Sequence, residues 1–370
     1  MSYAILDRER LAVRKLNTRK NKVVFERDMI SPLQKPQKMS EEGWRLIEKT
    51  VEHIRTAREK SSSVMLTFGA HTIKNCMAPT LIELMKGGWV THLATNGAGI
   101  IHDWEIAFLG QTSEDVRENV HRGQFGIWDE TGFYINLAII VGAYENLGYG
   151  ESVGKMIACE GLQIPEIGML YDTAQKCMES NPDRAAAAID LAGAIKRFNL
   201  PSGFISIPHP WKQYSVQAQA YNLGIPFTGH PMFGHDIIYN HPMNHGAAIG
   251  RTALNDFLRF AASVENLDHG VYLSVGSAVM SPMIFEKSLS MSQNLKIKEG
   301  KHIDNHYILI VDLAESDWDW QQNGEPPMDN PAYYLRYCKT FHRMGGEMHY
   351  LTSDNREFLL ALYQRINHSK

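Results

Sequence analysis

The sequence predicts an α/β protein: a doubly wound, mostly parallel sheet covered by helices on both faces. Three observations point there. Short apolar runs recur along the chain, helix-patterned segments separate most of them, and 44% of the 370 residues are hydrophobic, enough for a full globular core. Strands that alternate with helices connect through right-handed crossovers and are buried on both faces, so they read as apolar runs rather than alternating ones.

In chain order, residues 1–40 read as an irregular, basic N-terminal arm. RERLAVRKLNTRKNK carries the positive charge, and SPLQKPQKMS carries two prolines and ends in Ser40, a candidate helix cap. Trp44, Ile47, Val51 and Ile54 recur at three- and four-residue steps, which predicts an amphipathic helix over 41–59. SVMLTFGA (63–70) reads as a buried strand that breaks at Gly69. APTLIELMKGG is a helix with Pro79 in its first turn and Gly87 as its stop, and WVTHLATN (89–96) is a second strand. GFYINLAIIVGAYENLG, SVGKMIACEGL and DRAAAAIDLAGAIKRF are helices by propensity and period. Strands resume at 203–210, 225–231, 270–277, 306–314 and 346–352, again with helical segments between most of them. Nothing in composition forces a boundary, so 41–370 reads as a single domain.

The net charge of −4 gives no electrostatic case for nucleic acid. The longest apolar run, INLAIIVGAY, is too short to span a bilayer. The N-terminus lacks the apolar stretch of a signal peptide, and the four scattered cysteines form no CxxC pair, which together suggest a soluble, cytoplasmic protein.

In a doubly wound sheet, ligands bind beyond the carboxyl ends of the strands. FGAHT, TNGAG, GHPMFGHD, VGSAVMSP, LAESDWDW and LTSDN all fall at such ends, which suggests one shared crevice. TNGAG is either a structural corner or a turn whose free N–H groups hold a phosphate. Glu315, Asp317 and Asp319 beside Trp318 and Trp320 suit a cationic amine, through ion pairing and cation–π attraction, or else form a solvated acidic loop. His230, His235, His241 and His245 crowd sixteen residues, but no HExxH is present and hydrogen-bonded roles outweigh a metal site. Lys339, amid aromatics in YYLRYCKTF, is either a surface lysine or an amine nucleophile in an apolar pocket.

The succession MLTFGAHTI, then GGWVTHLATNGAGIIHDWEIAFLGQTSED, resembles the deoxyhypusine synthase family, which includes homospermidine synthases. The resemblance covers roughly residues 63–365 and is clearest over 63–115. It implies a Rossmann-like NAD-binding domain and a homotetramer. The implied activity is NAD-dependent transfer of an aminobutyl group from spermidine or a related polyamine, through a lysine imine, to an acceptor amine such as a protein lysine. Residue by residue it places Ala70, His71, Thr95, Asn96, Gly97, Ala98, Gly99, Ala314 and Asp354 at NAD. Asp236 matches an aspartate that faces the amine, Asp317 or Asp319 matches an acidic stretch that Glu315 and Trp318 adjoin, and Lys339 aligns with the imine-forming lysine; His230, His235 or His102 could serve as a substitute proton carrier. The chain departs from the family in several places. Ser281, Pro282 and Met283 stand where a histidine pair is expected, and Ile101 or His102 replaces a glutamate. Tyr337 and Cys338 replace tryptophan–glycine, and extra residues lie between Asp319 and Lys339. These departures keep an alternative open: an NAD-binding member whose transferase chemistry is lost or changed, acting as a binding or regulatory protein. A metal-dependent hydrolase built on the histidines is a third, weaker reading.

Overall fold

The computed structural model describes residues 3–368. The chain divides into two compact units. One comprises Asp28–Gly99, Gln219–His230 and the chain from Asp256 onward; the other comprises the residues up to Arg27, Ile100–Ala218 and Pro231–Asn255. Two units thus replace the single domain expected over 41–370. Each is assembled from separated segments, so no composition shift along the chain marks their borders.

The first of these units holds a six-stranded sheet in the order Glu347–Thr352, Tyr307–Asp312, Val271–Val275, Val64–Phe68, His92–Asn96, Phe227–His230. Every neighbouring pair is parallel. Counted along the chain, the strands lie 6-5-4-1-2-3, the doubly wound dinucleotide-fold order. The strands Val64–Phe68 and Val271–Val275 are buried at every position because helices cover both faces. Alternation along Tyr307–Asp312 shows the two layers. Ile308 and Ile310 pack with Phe260, Phe285, Leu289 and Phe341, while the Tyr307 hydroxyl lies 3.1 Å from the Thr50 hydroxyl on the helix Glu41–Glu59.

That helix has the bounds expected from its period. The Ser40 hydroxyl accepts from the Gly43 N–H at 3.0 Å, and Leu46, Ile47, Val51 and Ile54 are buried. Trp44 sits beside the buried stripe, 38% exposed. The strand expected over 203–210 is confined to Gly203–Ser206 and lies in the other unit, paired antiparallel with Gly161–Ile164.

The N-terminal arm is not an irregular solvated tail. Asn21–Val24 pairs antiparallel with Gln111–Glu114. Leu16 and Phe25 are buried, and Arg19 makes a two-pronged bond to Glu105 at 2.8 and 2.7 Å with both side chains 1% exposed. Basic residues look solvated in sequence, but a guanidinium with a carboxylate partner can be buried. Among the described residues, no helix is long and apolar enough to cross a membrane.

Candidate functional site

Because the six strands are parallel and in register, Phe68, Asn96, His230, Val275, Asp312 and Thr352 end on one edge of the sheet. The strand order, though not the chain direction, reverses between the parallel strands Val64–Phe68 and Val271–Val275, and glycine follows both. The Gly69 N–H donates to the Val275 carbonyl at 3.1 Å, and a Cβ on Gly69 would sit 2.1 Å from the Gly276 oxygen. Gly276 has φ +57° with open space where its Cβ would be. Backbone rather than side chain therefore lines this switch point, the surface a pyrophosphate needs for close approach. Ala70 and His71 open the short helix Ala70–Lys74 directly after Gly69, with the His71 ring exposed. Ser277 follows Gly276, and its hydroxyl accepts from the Ser281 N–H at 3.3 Å. The sequence marks Gly69 as a strand stop but carries the later strand through Gly276 to 277, and the proximity of the two glycines is not legible in it.

The turn Thr95–Gly99 lies on the same edge, with its side chains turned inward. The Thr95 hydroxyl donates to the Phe68 carbonyl at 2.9 Å, and the Asn96 side-chain oxygen accepts from the Gly99 N–H at 2.9 Å, capping the helix Gly97–Leu109. Gly97 and Ala98 begin that helix.

Ala314 and the acidic residues follow Tyr307–Asp312. The Tyr350 and Thr352 hydroxyls both donate to the Ala314 carbonyl, at 2.6 and 3.2 Å, pinning the start of this loop to the last strand. Glu315 and Asp317 are exposed. Asp319 caps the turn Trp320–Asn323 by accepting from the Gln321 and Gln322 N–H groups, both at 2.9 Å. The Trp318 indole N–H donates to the Gly324 carbonyl at 2.9 Å, which holds that ring half-buried. Asp354 bonds Arg356 at 3.0 and 3.2 Å. Burial works to raise the Asp354 carboxyl, but Arg356 overrides it and holds the group below its ordinary range.

Lys339 is half-buried on the helix Arg336–His342. Its Nζ lies 2.9 Å from Glu325 Oε2 and 4.9 Å from the centre of the Tyr333 ring. Glu325 also binds Arg343, and nothing in the sequence pattern connected these residues.

His235 and Asp236 belong to the other unit. His235 is exposed, whereas one Asp236 oxygen is buried without a hydrogen-bond partner, and burial pushes that carboxyl up to about 7. The four crowded histidines have separate roles. The His230 ring bonds Thr228 at 2.9 Å, the His241 ring lies 3.3 Å from Asp129, and the His245 ring accepts from the Ala248 N–H. Among the described residues no group of three or more His, Cys, Asp or Glu is placed to hold a metal.

No family model matches the chain, and no curated protein matches it. Solved structures show loose likenesses. A conserved LOR/SDH protein from Methanococcus maripaludis S2 is 10% identical, with a TM-score of 0.44 over 92% of this chain and 73% of that one. Unliganded AgrE is 16% identical, with a TM-score of 0.44 over 90% of this chain and 34% of that one. ArgZ, an arginine dihydrolase from the ornithine–ammonia cycle in cyanobacteria, is 13% identical, with a TM-score of 0.43 over 90% of this chain and 33% of that one. This chain thus spans about a third of the length of AgrE and ArgZ. Likenesses of this size do not carry function from those proteins to this chain.

Proposed function

We propose that the chain is an NAD-dependent enzyme of amine chemistry, with the dinucleotide bound along the carboxyl edge of the six-stranded sheet. The observation that supports this is the strand order 6-5-4-1-2-3 with glycine on both sides of its switch point. Gly69, Ala70, Gly276 and Ser277 would hold the dinucleotide there. The resemblance adds His71, Thr95–Gly99, Ala314 and Asp354. The cofactor supplies a hydride acceptor for the C–H bond beside an amine nitrogen.

The finer reading is transfer of an aminobutyl group from spermidine or a related polyamine. Loss of hydride and the N–H proton turns the donor amine into an imine. The Lys339 amine adds to that imine carbon, the other amine fragment departs, and the chain carries the group as a lysine imine. An acceptor amine, a small molecule or a protein lysine, then displaces Lys339 to give an acceptor imine, and return of the hydride from the reduced dinucleotide, with a proton, would leave the aminobutyl group on the acceptor and restore NAD. Glu315, Asp317 and Trp318 would hold ammonium groups beside the crevice. Roles for Asp236 and His235, and a homotetramer, rest on the resemblance alone. The Lys339–Glu325 ion pair favours a second reading, an NAD-binding protein whose lysine is structural, because an ammonium held by a carboxylate is not a nucleophile.

Calorimetry with NAD, followed by incubation with NAD and spermidine and reduction with borohydride, tests both readings. NAD binding and added mass on the peptide carrying Lys339 are expected. Absence of NAD binding ends the proposal, and binding without an adduct from any common polyamine selects the second reading.

A further inference from the structure

We propose that His102 is the proton acceptor of the hydride-transfer step, and that Glu105 and Thr112 are positioning residues that fix its ring so that Nε2 is the nitrogen that gains and loses the proton. The inference rests on the reading of the chain as an NAD-dependent enzyme of amine chemistry.

The directions of the hydrogen bonds lead there. The buried Glu105 carboxylate accepts from four donors. Its Oε1 takes an Arg19 Nη at 2.8 Å and the Thr131 hydroxyl at 3.1 Å, and its Oε2 takes the other Arg19 Nη at 2.7 Å and the Thr112 hydroxyl at 2.6 Å. Burial works to raise this carboxyl, but Arg19 overrides it and holds the group below its ordinary range, so Glu105 only accepts. Thr112 is buried as well, and it gives its single hydroxyl proton to Glu105. His102 Nδ1 lies 2.7 Å from that same hydroxyl oxygen. With the hydroxyl proton committed, this contact is a hydrogen bond only when Nδ1 carries a proton and donates it. Nδ1–H is therefore common to the neutral and the charged ring, and the proton exchanges at Nε2. A group that meets the neutral ring at Nε2 meets an acceptor, which suits an amine N–H.

His102 stands on the helix Gly97–Leu109, which the TNGAG turn opens. From 97 to 107 only Ala98 and His102 are not buried. They are four residues apart, so they lie one above the other on one face of the helix. That face carries part of the candidate cofactor turn and an imidazole with a fixed tautomer. In the first step the C–H hydride passes to the dinucleotide and the N–H proton passes to Nε2, leaving an imine and an imidazolium. When the hydride returns to the acceptor imine, the imidazolium gives that proton back.

Nitrogen-15 NMR of protein labelled in histidine reads the tautomer with no ligand present, the His102 signals being those lost in His102→Ala. The neutral wild-type ring is expected to carry its proton on Nδ1. Reduction of NAD by spermidine, followed by the absorbance of the reduced dinucleotide, reads the role. His102→Ala is expected to lower kcat about a hundredfold with KM and NAD affinity little changed, and added imidazole is expected to restore about tenfold. Thr112→Val is expected to lower kcat about tenfold, and Thr112→Ser to keep it. A neutral wild-type ring protonated at Nε2 overturns the relay. Unchanged kcat in His102→Ala, or a loss that imidazole does not restore, overturns the acceptor role and leaves the amine chemistry standing. Wild type that binds NAD yet reduces none with any common polyamine would end the amine reading and the acceptor role together.

Discussion

The Thr95 hydroxyl donates to the Phe68 carbonyl at 2.9 Å, bonding the ends of two adjacent strands at the carboxyl edge of the sheet. The same oxygen lies 2.1 Å from where a Cβ on Gly99 would stand. One side chain therefore closes the corner between strand and helix and explains why the next turn needs glycine. The TNGAG turn is a structural corner as well as a candidate cofactor turn.

This relationship predicts coupling between the two positions. Thr95→Ala loses a buried hydrogen bond, and about 1–2 kcal/mol of stability is expected to go with it. Gly99→Ala forces methyl against hydroxyl and is expected to cost about 1–3 kcal/mol. With the hydroxyl gone, the second substitution costs less, so the double variant should be more stable than the sum by about 1 kcal/mol in urea unfolding. Strict additivity would refute the contact.

At the switch point, Gly69→Ala places a methyl 2.1 Å from the Gly276 oxygen and displaces the backbone that lines the crevice. NAD affinity measured by calorimetry is expected to fall at least about tenfold in a variant that remains folded by circular dichroism. Unchanged affinity would move the dinucleotide away from this crevice.

A buried chain of side chains makes stability depend on acid. The His92 ring bonds the Ser263 hydroxyl at 2.8 Å and the Thr228 hydroxyl at 3.0 Å, and Thr228 also bonds the His230 ring at 2.9 Å. Burial pushes both imidazoles down to about 3. A depressed histidine binds its proton more readily in the unfolded chain. Its contribution is therefore complete above about pH 6.5 and is lost as pH falls toward about 3. Unfolding free energy is expected to drop below pH 6.5 by up to about 1.4 kcal/mol per pH unit for each histidine, and His92→Gln should flatten the slope. A profile level from pH 7 to 4 would contradict the burial of neutral rings.

The Arg19–Glu105 pair, with both side chains 1% exposed, predicts asymmetric mutational costs. Arg19→Met leaves Glu105 without its cation and is expected to cost about 3–5 kcal/mol. Pairing it with Glu105→Leu should restore most of that loss in thermal unfolding. Full stability of Arg19→Met alone would mean the N-terminal segment is not held by this bond.

The amino-acid sequence by itself determined the local elements and the edge on which a site would form. The runs at 64–68, 271–275 and 307–312 are apolar because both faces of these central strands are covered, and that signal lies in neighbouring residues. The ends of the first two runs, before Gly69 and Gly97, were legible in the same local way. Only the tertiary structure decided which distant groups meet. Arg19 and Glu105 are 86 positions apart, yet they neutralise each other in the interior. Gly69 meets Gly276 because strands 1 and 4 of the sheet are neighbours. Lys339, read from sequence as surface residue or free nucleophile, is instead held by a carboxylate from a separate loop. Periodicity reports the burial of one element, whereas the partner of a charge depends on which loops the fold brings within about 4 Å, the range in which an ion pair forms.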